Sequence, residues 1–197
     1  MKSRLFLVLA LLVAFAVYAE DYVAHLAPLI DPAKLATLSP RGANSRVQKC
    51  VYWLEVARKA GEKPDKVAGK AVKDGYTNAA AAKLTKDALL RNLDIAGKLG
   101  CLAEAGMADL RKGQSPTVQR GPYVGQELSV DHIIPRAIVP ELDCVIANLE
   151  LLPLKLNESK NAKVGDRQVS LAKKLREAKL LTESGWMAVV FATRFKP

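Results

Sequence analysis

The chain has 197 residues, half of them apolar and a quarter charged, a composition that excludes an intrinsically disordered protein. Lys and Arg outnumber Asp and Glu by 30 to 20, so the formal charge is +10 and polyanions are the favoured partners. The sequence contains no Cys-x-x-Cys pair, which excludes a zinc knuckle held by paired cysteines.

Residues 1–19 have the features of a secretory signal peptide. Lys2 and Arg4 precede an apolar run, and Val17 and Ala19 place small residues at the two positions that guide cleavage. The run is shorter than the ~20 apolar residues that span a bilayer, although an uncleaved anchor is the alternative. We expect export to the periplasm or the medium, without stable membrane association after cleavage. Loss of Lys2 and Arg4 leaves 28 basic and 20 acidic residues, a charge of +8.

Residues 20–112 are predicted to form a helical N-terminal region. Apolar residues follow the i, i+3, i+4, i+7 spacing of an amphipathic helix at Val47, Cys50, Val51 and Leu54. A short helix is expected over residues 65–72 after Pro64, and a longer one begins after Thr77 or Asn78. Stripes of this kind pack in cores, so we assign them no chemistry.

The exported chain has three cysteines, so at most one internal disulfide can form. An oxidising compartment favours pairing. Cys50 and Cys101 both belong to the helical region, and we expect them to be the pair.

Residues 113–126 form a connector rich in Gly and Pro. Arg111, Lys112 and Arg120 make it basic. It either lies along a phosphate backbone or is a solvated loop.

The central stretch, residues 127–167, reads as strand, loop, strand and helix. Residues 127–134 and 147–152 are rich in apolar and β-branched side chains, and a proline ends each run. Asn157 is expected to cap a helix that begins at Glu158. Residues 168–197 continue as a C-terminal helical extension.

Three motifs in this stretch carry polar groups of catalytic type. DHIIP contains Asp131 and His132, NLELLP contains Asn148, and NESK contains Asn157 and Lys160. In this order and spacing the motifs resemble the HNH endonuclease family. The resemblance covers residues 127–167 and implies an α+β fold, mostly α-helical, with a ββα-metal core on which the helical N-terminal half packs.

The resemblance also implies the role of each residue. His132 would be the general base, and Asn148 would orient it by hydrogen bonds. Asp131 and Asn157 would bind one divalent ion; their oxygen donors favour Mg²⁺, with Mn²⁺ as the alternative. Many members hold the motif with two zinc-binding cysteine pairs, and this chain lacks them.

One geometric requirement follows from the motif itself. Adjacent residues on a regular strand point to opposite faces. Asp131 and His132 can therefore serve one site only where the strand bends or ends.

The expected substrate is DNA, with RNA as an alternative, cleaved with little sequence preference because no sequence-reading module is recognisable. Backbone phosphates would be bound by a basic set: Lys160, Arg136, Lys155 and Arg120. If the protein is a toxin, an immunity protein is a further expected partner. The alternatives are an exported nucleic-acid-binding protein whose HNH core does not cut, and a helical envelope protein that matches the motifs by coincidence.

Overall fold

The computed structural model describes residues 20–160 and 163–194. The predicted signal peptide lies outside the described residues. From residue 20 onward, six helices precede the central stretch: α1 (Tyr22–Ile30), α2 (Pro32–Leu35), α3 (Asn44–Lys59), α4 (Pro64–Gly75), α5 (Ala79–Lys98) and α6 (Glu104–Lys112). Two strands and three helices follow: β1 (Leu128–His132), β2 (Leu149–Pro153), α7 (Leu154–Lys160), α8 (Asp166–Glu177) and α9 (Glu183–Arg194).

Local signals set the ends of the N-terminal helices. The Asn78 side chain accepts from the backbone N–H groups of residues 80 and 81 and so caps α5, as predicted. Pro64 occupies the first position of α4, where its missing N–H costs no helical bond. Gly61 follows α3 with a φ of 89°, a conformation that ends a helix without strain for glycine.

The strands β1 and β2 form a two-stranded antiparallel sheet. Its register pairs Leu128 with Pro153 and His132 with Leu149. The chain between the strands makes short 3₁₀ turns at Pro140–Leu142 and Ile146–Asn148.

The prediction that Asn157 caps a helix beginning at Glu158 is wrong. Helix α7 begins at Leu154, directly after β2, so Asn157 lies within it. The first N–H groups of α7 already have partners: the Leu154 N–H donates to Glu127 O at 2.9 Å, and the Lys155 N–H donates to the Gln126 side chain at 3.2 Å. The helix therefore needs no cap from Asn157 at this start.

The sheet packs on the N-terminal helices. Strand side chains belong to the same buried cluster as the helix stripes: Leu128, Val130, Leu149 and Leu151 from the sheet, and Val47, Val51, Leu54 and Leu89 from the helices. A second buried cluster joins the loop between the strands to α8 and α9, with Ile134, Leu142, Leu175 and Val189 among its members. The fold is α+β, mostly helical with a small antiparallel sheet.

The expected Cys50–Cys101 disulfide is absent, because all three cysteines are free thiols. Cys50 is sealed in the core, and burial raises the pKa of its thiol. The Cys101 thiol lies near the carbonyl oxygens of Leu99 and Thr117, and burial raises its pKa to about 11. Each thiol is thus packed in its own surroundings.

Among the helices of residues 20–160 and 163–194, none has both the length and the apolar composition that crossing a bilayer requires.

Candidate functional site

A cleft of about 960 Å³ lies between the helical half and the unit formed by β1 and α7. One side of the cleft carries residues of the central stretch, including Asp131, His132, Arg136, Asn157 and Lys160. The other side carries residues of α3 and of the connector after α6, including Asn44, Gln48 and Gln114. Residues far apart in the sequence therefore share one solvent-accessible space.

Asp131 and His132 both border this cleft although they are adjacent on β1. The carboxylate of Asp131 is directed to Lys160 on α7, whereas the imidazole of His132 is directed to Asp143 in the loop between the strands. Strand β1 ends at His132. The two side chains therefore border the same cleft while they contact different residues. The requirement that the strand ends at this point is met.

The His132 ring is fixed through one nitrogen. Its Nε2 lies 3.0 Å from the backbone oxygen of Asp143 and 3.0 Å from Asp143 Oδ1. A carbonyl oxygen only accepts, so a neutral ring carries its hydrogen on Nε2. Nδ1 is then the nitrogen with a free lone pair, as a general base needs.

Asp143 is a residue that the motifs do not reveal. Its Oδ2 accepts the Arg41 backbone N–H at 2.7 Å, and Arg41 has a left-handed φ of 62°. Its Oδ1 is buried and has no hydrogen-bond partner among the described residues; its charged neighbours are His132 Nε2 at 3.0 Å and Arg136 Nε at 3.7 Å. The carboxylate thus places a negative charge beside His132 and connects this loop to the helical half.

Asn148 holds the chain that follows β1. Its side chain is fully buried; Oδ1 accepts from the Ile134 N–H at 2.8 Å, and Nδ2 donates to Ile134 O at 3.0 Å. The backbone oxygen of Asn148 also accepts from the Ile133 N–H at 2.8 Å. The amide therefore fixes the chain immediately after His132 and makes no hydrogen bond with the imidazole itself.

The two predicted metal ligands are both in the cleft, and each already has a polar partner. The Lys160 ammonium donates to Asp131 Oδ2 and, at 2.8 Å, to the backbone oxygen of His132. The Asn157 amide donates through Nδ2 to Ser129 Oγ at 3.0 Å, which leaves its Oδ1 as the acceptor. Asp131 thus has a cationic partner in the form of an ammonium group.

Within the described residues, no group of three or more His, Cys, Asp or Glu side chains is arranged to hold a metal ion. A carboxylate and an amide oxygen still fit Mg²⁺, because this ion usually keeps several waters and takes one or two protein ligands. The contact with the Lys160 ammonium also indicates that the Asp131 carboxylate can bind a cation. The donors present are therefore compatible with one hydrated hard ion.

The predicted phosphate-binding residues fall into two groups. Arg136 and Lys160 line the cleft, whereas Arg120 and Lys155 are not part of its lining. Arg120 lies beside Gly100, at the turn between α5 and α6. Lys155 is exposed on the first turn of α7.

The helical half supports β2 through Asn92 of α5, a second residue that the sequence did not reveal. The buried Asn92 amide accepts from the Leu151 N–H at 2.8 Å and donates to Leu149 O at 3.1 Å. These bonds satisfy the edge of β2 that β1 leaves free. A lone Asn in a helical stripe carries no sequence signal for such a contact.

An ion pair between the buried Glu150 and the exposed Arg167 also supports β2. Glu150, 4% exposed, accepts from Arg167 at 2.8 Å, and this hydrogen bond raises the pKa of Arg167. Arg91 donates to Leu149 O at 3.1 Å, and burial lowers its pKa. Contacts with the helical half and α8 therefore hold the motif in this chain, which has no zinc-binding cysteine pairs.

Comparison of the chain with protein-family models, with curated proteins and with solved structures finds no match.

Proposed function

We propose that the chain is an exported, metal-dependent endonuclease that hydrolyses phosphodiester bonds of DNA or RNA with little sequence preference. One observation carries the proposal: the ordered motif residues Asp131, His132 and Asn157 line a single cleft together with Arg136 and Lys160. A base, oxygen ligands and cations in one open cleft are the parts that phosphodiester hydrolysis requires.

In the proposed reaction His132 acts as the general base. Asp143 holds Nε2–H, so Nδ1 accepts a proton from water as the water oxygen bonds to phosphorus. The bond from phosphorus to the leaving oxygen breaks, and that oxygen takes a proton from solvent. The Asp143 carboxylate stabilises the imidazolium that forms.

Asp131 and Asn157 would hold the divalent ion. When bound, that ion supplies positive charge that stabilises the leaving oxygen. Arg136 and Lys160 orient the phosphate through charge-assisted hydrogen bonds. Asn148 keeps the chain after His132 in place through its two bonds to Ile134.

Plasmid degradation by the purified protein, with Mg²⁺ and with EDTA, tests the proposal. We expect nicked and linear products in Mg²⁺ and intact plasmid in EDTA. Gel retardation without cleavage in Mg²⁺ would instead select the non-cleaving binding protein. An intact plasmid without retardation would contradict both functions.

A further inference from the structure

The side of the cleft opposite the motif residues carries polar groups of a different kind. We define the amide wall as Asn44, Ser45, Gln48, Gln114 and Ser115, all of which line the cleft. Its side chains are neutral amides and hydroxyls. The motif side carries the cations Arg136 and Lys160 together with the acids Glu127 and Glu158. A third cation, Arg41, is held next to this side because its backbone N–H donates to Asp143.

The wall is a fixed surface. Gln48 is 4% exposed and donates through Nε2 to Ser115 Oγ at 3.0 Å, which joins α3 to the connector. Gly113 has a φ of 77°, and a Cβ there would lie 2.9 Å from Ser45 Cβ. Glycine thus permits the close approach that brings Gln114 and Ser115 against α3.

One atom of the wall has no partner. Asn44 Oδ1 is buried and makes no hydrogen bond with any described residue. Such atoms are rare in folded proteins because an unsatisfied buried oxygen costs free energy. Asn44 lines the cleft, so a rotation of its side chain would bring this oxygen to a ligand that donates a hydrogen bond.

The charged lining residues favour the phosphate and the nucleoside of a bound nucleotide at different places in the cleft. Asp109 also lines the cleft near the wall; it repels phosphate but accepts hydrogen bonds from base amino groups and sugar hydroxyls. Amides pair with base edges, whereas Arg and Lys bind phosphate. The phosphate therefore belongs beside Arg136 and Lys160, and the nucleoside belongs at the amide wall.

The shape of the wall selects an unpaired strand. Base edges of a duplex lie inside grooves, which proteins read with a protruding helix or β-ribbon. The amide wall is instead one side of a concave space of about 960 Å³. A base can reach it only when it is unpaired and turned into the cleft, as in recognition of single strands.

We infer that the amide wall is a nucleoside subsite, which binds the base and sugar of an unpaired nucleotide next to the scissile phosphate. The inference rests on the proposed function for the phosphate side and adds single-stranded DNA or RNA as the preferred substrate class. Gln114 is the exposed amide of the wall, Asn44 supplies the oxygen without a partner, and Gln48 holds the wall together.

Binding measured without cleavage tests the subsite. The His132→Ala protein in EDTA is titrated with labelled single-stranded DNA, single-stranded RNA and duplex DNA of one sequence at fixed salt. We expect both single strands to bind more tightly than the duplex. Asn44→Ala and Gln114→Ala should each weaken single-strand binding about 5-fold, the size of one neutral hydrogen bond, and leave duplex binding unchanged.

Gln119→Ala is the matched control, because Gln119 is an exposed glutamine of the same connector that does not line the cleft. Gln114 is also exposed, so its variant retains the fold even if Asn44→Ala does not. Equal binding of single strands and duplex, with both wall variants indistinguishable from Gln119→Ala, would overturn the inference. RNA binding alone would restrict the subsite to nucleosides with a 2′-hydroxyl.

The two proposals fail in different ways. A wild-type protein that cuts duplex and single strands equally, with no effect of the wall variants, overturns the subsite and leaves the endonuclease. A protein that cuts nothing but binds single strands through Asn44 and Gln114 supports the subsite and contradicts the endonuclease.

Discussion

At the scale of single residues, His132 depends on its neighbour Asp143. The backbone oxygen of Asp143 sets the ring tautomer, and the carboxylate lies 3.0 Å from the same nitrogen. The backbone contact survives any substitution at this position, so the charge can be removed separately from the tautomer. This separation makes Asp143 a testable positioning residue for the proposed base.

Asp143→Asn should lower kcat by about 10-fold with little change in KM, because the imidazolium loses a carboxylate beside it. The substituted amide retains an oxygen that can accept the Arg41 N–H, so the fold should persist. Asp143→Ala loses that acceptor as well and should also lower the denaturation midpoint. Steady-state kinetics and urea unfolding separate the two variants. A full kcat in Asp143→Asn would show that the charge is irrelevant.

Lys160 and a divalent ion would compete for the same carboxylate. The ammonium lies on Asp131 Oδ2, and the two side chains are 20% and 12% exposed. Lys160→Met should therefore tighten Mn²⁺ binding about 5-fold, consistent with ~1 kcal/mol for a partly exposed pair. Cleavage should nevertheless fall, because the phosphate loses a cation.

Calorimetric titration with Mn²⁺ measures this effect, and Lys155→Met is the control because Lys155 is exposed on the same helix. Weaker Mn²⁺ binding in Lys160→Met would mean that the ammonium supports the metal site and does not compete for it.

At the scale of elements, the site depends on how β2 is held. Asn92 of α5 pairs with β2 through two hydrogen bonds, and the loop residue Asp143 is tied to Arg41 before α3. The helical half therefore positions both the second strand and the loop that orients His132.

Asn92→Leu should destabilise the protein by about 1–3 kcal/mol, because the buried Leu151 N–H loses its acceptor. Leu149 O still accepts a hydrogen bond from Arg91, so the Leu151 N–H is the main group that loses its partner. Urea denaturation measures the change. Asp94→Ala, on an exposed face of the same helix, should change stability by less than about 0.5 kcal/mol. Equal stabilities of the two variants would contradict the role of Asn92.

The sequence predicted the elements whose signals are local. Asn78 caps α5 and Gly61 follows α3 because capping and helix periodicity depend on nearby residues. The start of α7 was missed because residues 126 and 127, far back along the chain, satisfy its first donors.

Sequence reasoning likewise identified some residues of the candidate site and missed others. The motif spacing identified Asp131, His132 and Asn157, which line one cleft. Asp143 and Asn92 could not be identified, because their contacts join residues that lie 11 and 57 or more positions apart and depend on the packed fold. Cysteine pairing failed for the same reason: it depends on distances that sequence spacing does not set.

At the scale of the whole molecule, the excess of basic residues should govern binding. Arg136 lines the cleft and is 42% exposed at its side chain, so it is available to phosphate. Binding of the His132→Ala protein should weaken steeply as salt rises, with similar affinities for unrelated sequences.

Arg136→Ala should make the log–log salt slope shallower by about 0.9 on duplex DNA or about 0.7 on single strands. Lys83→Ala removes an exposed cation that is paired with Asp87 on α5, and it should leave the slope unchanged. Fluorescence anisotropy over a salt series gives both values. A flat salt response, or a thousandfold preference for one sequence, would contradict nonspecific phosphate binding.

His132 is the proposed general base, and the chain provides its own control because it contains two histidines. His25 stacks on Trp53 with ring centroids 3.9 Å apart and is not part of the cleft lining. The decisive measurement is the rate of cleavage of a labelled oligonucleotide in Mg²⁺ by the wild-type, His25→Ala and His132→Ala proteins. We predict full activity for His25→Ala and a loss of about 100-fold or more for His132→Ala, with oligonucleotide binding retained. Full activity of His132→Ala would contradict the role of His132 as the general base.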